Sequence, residues 1–90
     1  MAAVGFPFGQ IVLTQLARSA LTAKDVMTGL LRHSKADWGD VCPEDAQLND
    51  AALKDGTRLL SAYRSSDGIR FWIITEADRS VTTILLPEEY

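Results

Sequence analysis

The sequence predicts an α+β domain: an N-terminal strand, two to three helices and then a three-stranded antiparallel meander, with the helices packed on one face of the sheet. Three observations carry that prediction. The last third of the chain holds three short segments rich in β-branched and aromatic residues, separated by two turn-like stretches. The middle of the chain shows apolar residues at helical spacing between capping residues. Ninety residues, 47% hydrophobic and 23% charged, fit one globular domain spanning 1–90 and leave no room for a second core.

Taken in order, Gly9-Gln10-Ile11-Val12-Leu13 is a short apolar run after a Gly/Pro-rich start, which suits a first strand. Thr14 is placed as the N-cap of a short helix carrying Leu16, Ala17, Ala20 and Leu21 on one face. Thr22 followed by Asp25 resembles a capping box and opens a second helix. There Val26, Met27, Leu30 and Leu31 read as the core-facing stripe, with Lys24, Thr28, Arg32 and Lys35 on the other side. Gly29 weakens such a helix by roughly 1 kcal/mol relative to Ala, which points to close packing. Asp37-Trp38-Gly39-Asp40 is loop chemistry. Pro43 suits the first position of a third helix, with Glu44 and Asp45 facing the positive end of its dipole. Leu48, Ala51, Ala52 and Leu53 give it a thin apolar face, and Asp55-Gly56 ends it with a left-handed cap. Strands are then expected over 58–65, 69–75 and 81–86, joined at Ser66-Asp67-Gly68 and at Glu76-Ala77-Asp78-Arg79-Ser80.

Alternation puts Ile69, Phe71 and Ile73 on one face of the middle strand and Arg70, Trp72 and Ile74 on the other. The last strand divides Val81, Thr83 and Leu85 from Thr82, Ile84 and Leu86. Neither face is polar, whereas a sheet covered on one side alternates cleanly. A second face built from Trp72, Ile74, Ile84 and Leu86 therefore needs a cover: the N-terminal arm with Phe6, Pro7 and Phe8, or another molecule.

The net charge of −3 and pI of about 4.9 argue against direct nucleic-acid binding. The average hides a gradient: residues 1–36 sum to +3, residues 37–55 to −5 and residues 56–90 to −1. An acidic segment of this kind either meets a basic partner or serves as a solvated face. No apolar run approaches the ~20 residues of a membrane span, residues 1–10 lack the charge of a signal peptide, and a lone cysteine suits a reducing compartment. A cytoplasmic protein is expected.

Few residues invite chemistry. His33, Asp37, Asp40 and Asp45 form the one His/carboxylate cluster, but their spacing matches no metal motif, and Asp in such a turn ordinarily bonds its own backbone. Cys42 before Pro43 sits at a helix N-terminus, where thiols become reactive, and His33 is the one base on offer. Tyr63, Arg64 and Arg70 are placed to face one another across the first hairpin. No catalytic residue, metal or cofactor is expected. The binding residues expected instead are Asp37, Trp38, Asp40, Glu44, Asp45 and Asp50 in the acidic segment, Trp72 on the second face, and Glu76, Asp78 and Arg79 at the hairpin tip.

Asp37-Trp38-Gly39-Asp40, the run from Gly56 to Tyr63, the run from Trp72 to Tyr90, and Gly9-Gln10-Ile11-Val12 together resemble a widespread family of small uncharacterised bacterial proteins. Members are often encoded on plasmids and other mobile elements and carry "plasmid-related" or restriction-associated labels. Residues 15–24 depart most from that pattern. The resemblance transfers no activity or site; it implies bacterial cytoplasm and mobile DNA, a context in which small acidic proteins are often anti-CRISPR or anti-restriction inhibitors. The expected function is therefore a non-enzymatic protein-binding module acting on a host defence complex. Two alternatives stand beside it. One is a toxin-like RNase or other enzyme, since the element order is similar to the RelE/ParE superfamily, although those toxins are typically basic. The other is a homodimer burying Trp72 and Ile74.

Overall fold

The computed structural model describes residues 6–90; residues 1–5, the front of the segment read above for a signal peptide, lie outside the described residues. The elements are β1 (Gln10–Leu13), α1 (Gln15–Ala20), α2 (Ala23–Ser34), α3 (Pro43–Asp55), β2 (Leu59–Arg64), β3 (Arg70–Thr75) and β4 (Val81–Leu85), followed by a 3₁₀ turn (Pro87–Glu89). The helix starts follow the expected capping chemistry. Thr14 accepts from the Ala17 N–H, Thr22 accepts from the Asp25 N–H, and α3 opens on Pro43 with Glu44 and Asp45 in its first turn. Gly56 closes α3 in the left-handed conformation at φ 71°.

The sheet is four-stranded and mixed, in the order β1-β4-β3-β2. β2 pairs with β3 and β3 with β4 antiparallel, while β1 lies parallel to β4, with Gln10 opposite Val81 and Leu13 opposite Ile84. The expected three-stranded meander is thus part of a larger sheet that the first strand completes. Parallel pairing of distant segments leaves no local signature, because the spacing of hairpins and turns says nothing of where a separate strand docks.

α1 and α2 pack over the face carrying Tyr63, Phe71, Ile73 and Ile84, with Ala17, Leu21, Val26 and Leu30 against them. α3 instead lies along the β2 edge, its Ala52 in a separate cluster with Trp38 and Leu59 and its Asn49 bonded to the Leu60 backbone. The expected stripe on α2 is rotated. Val26, Gly29, Leu30 and His33 face inward, and Met27 and Leu31 are 65% and 57% exposed. Gly29 is required there, since a Cβ would come within 2.9 Å of the Phe71 ring. Ile84 and Leu86 also belong to this helix-facing core, not to the second face.

Register places Leu60, Ala62, Trp72, Ile74, Thr83 and Leu85 on the second face. The N-terminal arm, one of the two covers anticipated, does not lie on it. The arm carrying Phe6 and Phe8 packs on the helix side, both rings against the His33 imidazole at 5.2 and 5.8 Å. The C-terminus crosses the second face instead: Tyr90 meets Trp72 edge-on at 5.3 Å, and Arg58 donates to the Tyr90 hydroxyl at 2.7 Å. Glu89 ties this turn down by accepting from the Thr14 hydroxyl and the Leu86 N–H. These bonds hold the Glu89 carboxyl below its ordinary pKa, the Thr14 hydroxyl contributing most.

Candidate protein-binding site

Several residues expected at the surface are consumed by the fold. Trp38 is buried, edge-on to His33 at 5.6 Å, and its indole N–H donates to Asp50 at 3.0 Å. Asp37 takes two hydrogen bonds from Arg32, at 2.7 and 3.1 Å, and one from the Gly39 N–H. The Arg32 bond is the main reason its carboxyl is held below the usual range. Asp78 is turned onto Ser80, whose hydroxyl and N–H both donate to it and lower its pKa. Arg79, expected as a contact residue at the tip, folds back: it donates to the carbonyls of Thr57 and Ala52 at 2.6 and 3.0 Å and lies over the Phe6 ring. It therefore clamps the end of α3, adding a second donor to the Ala52 carbonyl, which also accepts from the Gly56 N–H, and holding the Thr57 carbonyl just beyond the helix. Glu76 is exposed but stands at that same end, about 20 Å along a thirteen-residue helix from Glu44.

The His/carboxylate cluster does not form. His33 is fully buried, with Nδ1 bonded to the Ser61 hydroxyl and Nε2 to the Thr75 hydroxyl at 3.0 Å. The protons in this chain can be assigned by counting. Thr82 donates its one hydroxyl proton to the Phe8 carbonyl at 2.7 Å, so the 2.8 Å bond between Thr75 and Thr82 takes the proton of Thr75. Thr75 must then accept from His33 Nε2–H, and Nδ1 accepts from Ser61. The imidazole is neutral, and burial, with Arg79 as a lesser influence, depresses its pKa to about 4. Nothing here offers a base to a substrate. Cys42 is exposed at the start of α3, while both nitrogens of His33 are taken by Ser61 and Thr75. Among the described residues no group of three or more His, Cys, Asp or Glu is placed to hold a metal. The expected Tyr63–Arg64–Arg70 grouping is also split. Tyr63 lies on the helix side beneath Arg32 at 4.7 Å, and Arg64 pairs with Arg70 on the other.

What remains together is a groove on the second face, at the N-terminal end of α3. A hollow of about 230 Å³ is lined by Asp40, Cys42, Asp45, Ala62, Arg70 and Trp72. A neighbouring hollow of about 200 Å³ shares Asp45 and Leu60 and continues to Leu48 and Arg58. The floor is apolar, the α3 wall is acidic, and Leu48 and Tyr90 project beside it, both about two-thirds exposed. Asp40 makes one loose ion pair with Arg64 at 3.6 Å; Glu44 and Asp45 have no ion pair among the described residues. Of the residues expected from the sequence, Asp40, Asp45 and Trp72 are thus brought to one place, with Glu44 next to Asp45 in the first turn of α3 but outside the lining. Leu48, Leu60, Ala62 and Tyr90 were missed. The one signal for Leu60 and Ala62 was their register with Ile74 and Trp72, which follows once the hairpin turn is fixed.

No helix among the described residues is long and apolar enough to cross a membrane. Compared with known proteins, the chain matches no family model, and neither a curated protein nor a solved structure matches it.

Proposed function

We propose that the chain is a non-enzymatic protein-binding module whose partner seats an apolar anchor on Leu60, Ala62 and Trp72 and sets a basic surface against Asp40, Glu44 and Asp45. One observation carries this reading: Asp45, which makes no ion pair among the described residues, and the loosely paired Asp40 border an apolar and aromatic floor. Interfaces favour that combination, with an apolar and aromatic centre and a charged rim. The acidic rim steers a basic partner and sets its orientation more than it adds raw affinity. Proteins that handle nucleic acid carry such basic surfaces. A defence complex whose nucleic-acid groove is occupied by the α3 end fits both the charge and the resemblance to mobile-element proteins.

The test is comparative capture from bacterial lysate with the wild type and the Glu44→Lys/Asp45→Lys double variant. Asp50 is left alone, because reversing it would strip Trp38 of its acceptor. A partner retained by the wild type, released by salt and lost by the variant is expected. Equal retention by both proteins removes the electrostatic reading.

A further inference from the structure

The two edges of the sheet are treated differently. On β2 the outward-facing groups of Leu60 and Ala62 are all satisfied. The Asn49 side chain accepts from the Leu60 N–H at 3.1 Å and donates to its carbonyl at 2.7 Å; Ala62 N–H donates to the Trp38 carbonyl, and Asp40 N–H donates to the Ala62 carbonyl. On β1 the N–H groups of Gln10 and Thr14 point inward to Ser80 and Ile84 of the β4 side. Alternation then turns the N–H and C=O of Ile11 and Leu13 to the outer edge, where among the described residues they meet no partner. Apart from its four-residue length, the strand carries no edge protection, having no charge, proline or bulge, and Ile11 and Val12 are 45% and 38% exposed.

Beside this edge, on the helix side, lie two hollows that share Leu13 and Arg18. One, of about 310 Å³, is walled by Leu21, Val26 and Met27; the other, of about 510 Å³, is polar and walled by Gln15 and Ser19. Arg18 makes no ion pair among the described residues. We infer that β1 is a docking edge for an extended segment of another protein, which adds a fifth strand through Ile11 and Leu13. Side chains two positions apart fall on one face of such a strand, so the segment carries an apolar residue for the Leu21–Met27 hollow and, two positions away, a carboxylate for Arg18. Charge selects this occupant over a second copy of the chain: pairing two β1 strands would gather both Arg18 side chains at one seam with no carboxylate from α1 to offset them. The edge is separate from the groove beside α3.

The probe is an end-blocked octapeptide alternating threonine with valine, with glutamate in the last valine position, titrated into the full-length ¹⁵N-labelled chain. The amides of Ile11 and Leu13 are expected to shift and to gain protection from exchange, and a counterpart with lysine for glutamate to bind about tenfold more weakly. Ile11→Pro, which removes an outward N–H and no internal bond, should abolish binding while the rest of the spectrum stays in place. Arg18→Gln should erase the preference for glutamate. Unmoved Ile11 and Leu13 amides at millimolar peptide, equal binding of the two peptides, or unaltered binding by Ile11→Pro overturns the inference. So does a dimer in light scattering that Ile11→Pro dissociates, because a second copy then holds the edge.

Discussion

His33 shows what a polar residue in a core costs and how it is accommodated. Its ring is closed in by Phe6, Phe8 and Trp38, and both nitrogens are spent on hydroxyls. Because its folded pKa of about 4 lies below the ordinary 6.5, the unfolded chain takes up a proton first as pH falls. Stability is therefore level above pH 6.5 and declines between 6.5 and 4, by up to about 3 kcal/mol. Urea unfolding across that window should show the slope, and His33→Gln, although less stable at neutral pH, should flatten it. Arg79 gives a second prediction at this scale. Arg79→Ala frees the Ala52 and Thr57 carbonyls from a charged donor and should cost about 2 kcal/mol in urea unfolding, leaving partner capture unchanged. The burial of His33 was within reach of the sequence: Val26, Gly29, Leu30 and His33 are spaced i, i+3, i+4, i+7. Hydrophobicity misled, since Met27 and Leu31 outrank a glycine and a histidine on any apolar scale yet project to solvent.

Among the elements, local chemistry was legible and long-range pairing was not. The caps at Thr14, Thr22 and Gly56, the Pro43 start of α3 and the two hairpins all follow from residues within one turn of each boundary. The partner of β1 depends on a strand some seventy residues away, and a four-residue strand with three apolar residues fits many neighbours equally well. The closed edge of β2 was equally invisible, because it relies on an asparagine inside a helix and on a loop glycine. Gly39 sits at φ 76°, and a Cβ there would overlap the Ala62 carbonyl oxygen. Asn49→Ala should leave the Leu60 N–H and C=O without partners and cost about 2 kcal/mol, read as a lower urea midpoint at unchanged slope. Gly29→Ala sets a helix-propensity gain of about 1 kcal/mol against a core overpacking cost of about 1–3 kcal/mol, so a net loss is expected by the same measurement.

Across the whole molecule, charge and apolar surface are distributed unevenly. Of the acids of residues 37–55 that the fold does not consume, Glu44 and Asp45 lie at the start of α3, near the part of the second face that Tyr90 leaves uncovered, and Asp55 stands at its other end. The charge gradient was readable from the sequence. Its division into structural and free carboxylates was not, since that depends on where Arg32, Arg64 and the Trp38 indole come to lie. Cys42 gives direct access to this region: it is the one cysteine of the chain, it is exposed, and it lines the groove between Asp40 and Asp45. A photo-crosslinker attached at Cys42 and irradiated in bacterial lysate tests the proposed interface where it lies. A single adduct of defined mass, lost in the Glu44→Lys/Asp45→Lys protein, is the expected result. No adduct, or an adduct indifferent to charge reversal, would contradict a binding role for this groove.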